Sequence, residues 1–184
     1  SKNIKIFTKL YETNKWGGSW QKEHETKNDG SYRGTSGIGS TFKYNKEYIP
    51  KIRQFIIDNN IKKVIDLGSG DWQCSYEIYK DLDIDYYGYD AYEKICSFNK
   101  KRYPQYNFIH LDIINDKHKL ENGDLCIIKD VLQHLCNKDV NNLLSYIVSQ
   151  KKYKFIIINN GCRQKKDNQD TKGKRNGKYR QLTA

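Results

Sequence analysis

The residues best suited to chemistry in this sequence follow short apolar runs. Asp66 stands within the run Val64 to Leu67, and Gly68 and Gly70 come straight after it. Two glycines at such a turn permit positive φ and let backbone approach a ligand closely. A helix starting near Trp72 or Cys74 would aim the turn's N–H groups out of the strand end. Asp90 closes a second run, Ile84 to Tyr89, and lies 20 positions after Gly70. That is about the spacing at which a strand–helix–strand unit offers a carboxylate to a ribose. Asp112 and Ile113 follow a third run; Lys129, Asp130 and His134 follow a fourth. A further glycine-rich turn, Ser36-Gly37-Ile38-Gly39-Ser40-Thr41, can cradle an anionic group with its N–H groups or simply lead into the next helix. Each residue also has a plain structural reading. Asp66 can fix the glycine turn, Asp112 can cap a surface turn, and His134 can be an ordinary core or helix-start histidine.

The elements that must position these residues alternate regularly. Lys46 to Asn59 is a helix candidate, with Tyr48, Ile49, Ile52, Phe55 and Ile56 on one face. Pro50 is tolerable in its first turn. Strands are expected at Lys63–Leu67, Ile84–Tyr89, Asn107–His110, Asp124–Lys129 and Lys154–Asn159. Helices are expected from Cys74 to Lys80, from Tyr92 to Arg102 before Pro104, and around Val140 to Val148, where apolar residues recur at helical spacing. The rhythm implies an α/β, doubly wound, mainly parallel sheet. Ligands of such sheets sit beyond the carboxyl ends of the strands, where strand order reverses. Residues 1–45 read as an N-terminal extension or lid, and 46–184 as the main domain, within a single globular unit. Ser1 to Gly30 is weakly patterned. Trp16 and Trp20 flank Gly17-Gly18-Ser19 and either cap the pocket or cover the core. Only Tyr179 to Leu182 could form a sixth strand.

Composition narrows the class. The 184 residues suit one domain, and no apolar run approaches the roughly 18 to 20 residues of a membrane span. The five cysteines are odd in number, widely spaced and without a C-x-x-C pair, which fits reduced thiols in a cytoplasmic setting and offers no metal site. Of the net charge of +11, +9 falls between Lys151 and Ala184, where 11 Lys or Arg face two Asp or Glu. That segment is either a solvated loop or the footprint of an anionic partner, such as a nucleotide, a nucleotide-sugar or nucleic acid.

Two nucleotide classes compete for the first glycine turn. A dinucleotide site wants a third glycine three places after Gly70, and Gln73 stands there. The D-x-G-x-G form with the later acid instead resembles motif I of the class I S-adenosylmethionine-dependent methyltransferases, with Trp72 in place of that motif's own third glycine. The S-G-x-G-S of residues 36–40 and the G-D-W of residues 70–72 are similar to a small branch of that class. The resemblance covers about residues 16–160 and implies S-adenosylmethionine as cofactor. It further implies Asp90 at the ribose, Asp112 and Ile113 at the adenine, and Ser36, Gly37, Asp66, Gly68, Gly70, Trp72 and Lys129 around the remainder. Such proteins commonly finish with an antiparallel strand pair, expected here to be shortened or truncated. No N-P-P-Y-type amine motif follows the fourth strand, which favours a hydroxyl acceptor on a sugar or other small, nucleotide-linked or anionic metabolite. A hydroxyl needs a base, and His134, then Asp130, are the candidates. An RNA acceptor reached through the basic segment, or a non-catalytic binding module, are the alternatives.

Overall fold

The computed structural model describes residues 1–16, 36–161 and 176–178. The expected elements around Trp20, the Tyr179–Leu182 strand, and most of the basic C-terminal segment lie outside these residues. The described elements run α1 (Lys2–Glu12), α2 (Tyr48–Asp58), β1 (Lys63–Leu67), α3 (Tyr76–Tyr79), β2 (Asp85–Asp90), α4 (Glu93–Arg102), β3 (Asn107–His110), β4 (Gly123–Lys129), α5 (Asn137–Ser149) and β5 (Tyr153–Asn159). A short 3-10 turn at Leu132–His134 follows β4.

The five strands form one sheet in the order β3-β2-β1-β4-β5, and every neighbouring pair is parallel. Winding reverses between β1 and β4. β1 has neighbours on both sides and helices on both faces, so it reads as a continuous apolar run. Val64, Ile65 and Leu67 are fully buried. Alternation along the strands feeds two cores. Val64, Tyr86, Leu125 and Ile127 pack with Ile52 and Ile56 of α2 and Ile95 of α4 on one face. Ile65, Leu67, Cys126 and Ile128 pack with Leu143 and Ile147 of α5 on the other. The doubly wound reading therefore holds.

The helix α1 is a departure from the weak patterning expected of Ser1 to Gly30. Ser1 caps it, its side chain accepting from the Ile4 N–H at 3.1 Å. Tertiary ties hold it rather than propensity. Ser1 and Asn3 donate to Asp112. Asn176 Nδ2 donates to Asn3 Oδ1 at 2.8 Å, and Gly177 lies so close to Ile6 that a Cβ there would come within 2.5 Å of it.

Candidate functional site

A cavity of about 1060 Å³, including its open mouth, lies at the carboxyl ends of β1, β2 and β4. Its walls include Asp66, Gly68, Gly70, Trp72, Asp90, Asp112, Ile113, Lys129, Asp130 and His134. Ser36 lines it as well; Gly37 does not, and lies at φ +93° against Trp16. The structure thus gathers the sequence-derived residues at one place, with Gly37 turned aside.

The glycine turn is built from backbone. The N–H groups of Gly68 and Ser69 both donate to the Tyr89 carbonyl, at 2.7 and 3.0 Å. Gly68 has φ +89°, and a Cβ on it would stand 2.3 Å from Val131 Cγ2. Close approach to the β4 turn, as well as conformation, demands glycine there. Asp90 Oδ2 accepts from Gly70 N–H and Oδ1 from Tyr92 N–H, each at 3.0 Å. A carboxylate has further lone pairs beyond these two bonds. Burial raises the Asp90 carboxyl to about 6, against the Tyr92, Gly70 and Ala91 N–H groups. Asp66 is likewise raised to about 6 by burial, opposed by the Tyr86 hydroxyl and the Lys129 charge.

Three expectations need correction. Asp66 does not fix the glycine turn through backbone; its Oδ2 accepts from the Tyr86 hydroxyl at 2.7 Å. Asp112 is occupied by protein donors: Ser1, Asn3, Asn115 through both backbone and side chain, and the Ile114 N–H. Burial raises its carboxyl, but those hydrogen bonds prevail and hold it below the usual value. It ties down α1 and its own turn. The N–H groups of the second glycine loop are partly engaged as well. Ser36 N–H donates to Asp71 Oδ2 at 2.9 Å, and Ser40 N–H to the Gly37 carbonyl at 3.0 Å.

The second loop instead bridges the two sides of the crevice. Ser36 Oγ accepts from Asp71 N–H at 2.8 Å, completing a reciprocal pair with Asp71, and pairs with the Tyr11 hydroxyl at 2.8 Å. At its other end the Gly39 carbonyl accepts from Lys129 Nζ at 2.7 Å. Lys129 also holds Asp130 Oδ2, at 2.5 Å. Asp130 takes φ +57° without being glycine. His134 packs its ring 5.0 Å from that of Trp16. Burial lowers its imidazole to about 4, against the nearby Asp130 charge. The expectation of an ordinary value near neutrality is corrected: burial keeps the ring neutral at pH 7, able to accept a proton, but makes it a weaker base than a free imidazole.

Sequence reasoning passed over Asp71 and Tyr11 as site-builders. The G-D-W triplet contained the first. Ile4, Phe7 and Tyr11 at helical spacing were the signal for the second, diluted by the three lysines Lys2, Lys5 and Lys9 around them. Asn3, Phe7, Tyr11 and Trp16 all line the cavity.

The donor set can be tested against a cofactor. Four carboxylates, Asp66, Asp90, Asp112 and Asp130, face the cavity beside a single lysine among the described residues. Such a wall suits a ligand carrying positive charge and repels a pyrophosphate. Ser69 Oγ is buried without a hydrogen-bond partner among the described residues. The residues fit S-adenosylmethionine better than a dinucleotide.

The chain matches no family model and no curated protein sequence. Solved structures do match. The magnesium protoporphyrin IX methyltransferase ChlM from Synechocystis PCC 6803, with bound S-adenosylhomocysteine, superposes with a TM-score of 0.57 at 14% identity, over 79% of this chain and 67% of that one. The methyltransferase domain of a bacterial Hen1 gives 0.55 at 17% identity, over 62% and 64%. The N-methyltransferase NodS from Bradyrhizobium japonicum WM9, also with S-adenosylhomocysteine, gives 0.52 at 13%, over 76% and 66%. At these identities the likeness establishes the fold, which is the Rossmann-like fold of class I S-adenosylmethionine-dependent methyltransferases. This chain spans less than two thirds of the length of the Hen1 domain and of NodS. Among the described residues no helix is long and apolar enough to cross a membrane, and no three His, Cys, Asp or Glu side chains converge as a metal site.

Proposed function

We propose that this chain is an S-adenosylmethionine-dependent methyltransferase that acts on a hydroxyl of a sugar or other small metabolite. The observation that carries the cofactor is the acid-lined cavity at the reversal point of the sheet, with Asp90 anchored beside the Gly68–Gly70 turn. Asp90 accepts from the ribose hydroxyls with its remaining lone pairs. Ile113 packs the adenine. Asp66 and the Ser36 and Ser40 hydroxyls face the amino-acid end. Bound S-adenosylmethionine supplies a methyl group that is already activated, so the protein has to place an acceptor and exclude water. α1 and Trp16 contribute the exclusion. Neutral His134 takes the acceptor's proton, with Asp130 beside it stabilising the imidazolium.

ChlM is named for magnesium protoporphyrin IX and NodS as an N-methyltransferase, so the fold leaves the acceptor open. The acidic wall favours a neutral acceptor over an anionic one within the cavity itself. An anionic or RNA acceptor would have to rely on the basic segment around Lys165, Lys166, Lys174 and Arg175.

Titration calorimetry tests the cofactor. S-adenosylhomocysteine should bind with a Kd of about 1 μM, roughly 8 kcal/mol. Asp90→Ala should weaken it by about 1–3 kcal/mol. Binding of a nicotinamide dinucleotide in its place would overturn the reading. Labelled methyl transfer to sugars and to RNA, at low and high salt, then separates the acceptors, because RNA binding falls steeply with salt.

A further inference from the structure

The place of Asp66 in the sheet raises a question that the glycine turn does not answer. Strand alternation sends its side chain to the same face as Val64, among buried aromatic rings. There the Tyr86 hydroxyl donates to Asp66 Oδ2, and the Trp72 indole N–H donates to the Tyr86 oxygen, each at 2.7 Å. Trp72 and Tyr86 are each only 1% exposed. Asp66 Oδ1 accepts no hydrogen bond from the described residues.

Two costs are built into this line. Trp72 adopts φ +56°, a region that bulky residues avoid at about 1–3 kcal/mol. It does so at the position where the resembled motif carries its third glycine. Gly88 lies opposite Asp66 in register, inside β2, where glycine weakens a strand. A Cβ at Gly88 would come within 2.9 Å of the Tyr86 hydroxyl, so the missing side chain is what lets that hydroxyl lie along the strand toward Asp66.

We propose that Trp72, Tyr86 and Gly88 are positioning residues that saturate one oxygen of Asp66 and reserve the other for the cationic amino group at the amino-acid end of the cofactor. This deepens the cofactor reading above and rests on it. The physical need is plain. A carboxylate buried this deeply takes up a proton unless donors or cations hold it ionised. The charged and titratable groups that interact with Asp66 are Tyr48 from α2, Cys74 and Tyr79 beyond the glycine turn, Tyr86 and Asp90 from β2, Lys129 from β4, and, through the sheet from its other face, Cys126 of β4. Of the two groups that favour the ionised form, Lys129 is already shared with Gly39 and Asp130. Tyr86 is the one that Asp66 has as a direct hydrogen-bond donor.

Tyr86→Phe isolates the effect, since it keeps the ring and removes only the hydroxyl. Calorimetry at pH 6.5 should use two probes, S-adenosylhomocysteine and adenosine, which lacks the amino-acid end. The variant should bind adenosine as the wild type does. It should bind S-adenosylhomocysteine about tenfold more weakly, through loss of a hydrogen bond to a charged group. The deficit should shrink at pH 8, where Asp66 is ionised in both proteins. Asp66→Asn should show the same selective loss, undiminished at pH 8. Unchanged S-adenosylhomocysteine binding in either variant overturns the proposal. So do equal losses for both probes, which would mark a general packing defect. A wild type that binds neither probe removes the cofactor reading itself, a result distinct from the failure of the positioning role.

Discussion

The two sides of the crevice keep their shape by different means. On the β1–β2 side, backbone does the holding: Gly68, Ser69 and Gly70 are tied through N–H groups to Tyr89 and Asp90, neighbours in the same sheet. On the β4 side, side chains and distant segments do it. Lys129 reaches the Gly39 carbonyl, 90 positions away, and His134 leans on Trp16. A wall held by backbone is specified by residue type at a few positions. A wall held by side chains depends on which remote segment arrives to meet it.

The largest expected effect comes from joining the two sides by force. Gly68→Val places a side chain where Val131 already stands and imposes φ +89° on a β-branched residue. Backbone strain alone costs about 1–3 kcal/mol. S-adenosylhomocysteine binding should vanish from calorimetry and the melting temperature should fall. Normal binding would mean that the two walls do not meet at this glycine.

Next comes the β4 side alone. His134→Ala should lower kcat by roughly 10²- to 10⁴-fold with little change in cofactor affinity. Because burial holds the imidazole at about 4, the acid limb of the wild-type kcat profile should fall near pH 4 rather than 6.5. A full kcat in the variant would assign the base elsewhere.

The smallest effect is the most direct contrast. The Asp90 carboxyl is raised to about 6, so the folded state holds more protons than the unfolded chain between about pH 4 and 6. Its contribution to stability is therefore lost as pH rises through that window. The His134 imidazole is lowered to about 4, so the unfolded chain holds more protons between about pH 4 and 6.5, and stability is lost as pH falls. Relative to Asp90→Asn, the wild type should lose stability from pH 4 to 7; relative to His134→Gln, it should gain. Thermal melts at both pH values would show slopes of opposite sign. Equal slopes would erase the distinction between the two sides.

The same contrast explains what was legible in the sequence. The strands and the β1–β2 wall could be read because Val64, Ile65 and Leu67, the glycines and Asp90 act within one strand–helix–strand unit. The helices were legible where apolar residues kept their spacing, as in Leu143 and Ile147. The hydrogen bonds of Asp66, Asp71 and Asp112 were not, because their partners Tyr86, Ser36, Ser1 and Asn3 are remote in the chain and chosen by packing. The shift at His134 was hidden for the same reason: burial against Trp16 has no local signal.

The ties that hold α1 have a bearing on the order in which the molecule assembles. They span 111 positions to Asp112 from Ser1, 109 from Asn3, and 173 from Asn3 to Asn176. Closing such loops before the strands exist would cost chain entropy with nothing yet in place to offset it. The expected order is therefore sheet first, with its cavity open to water, and α1 docking as a late, separable step. The roof over the crevice is the part of the fold whose backbone amides should exchange with solvent without global unfolding.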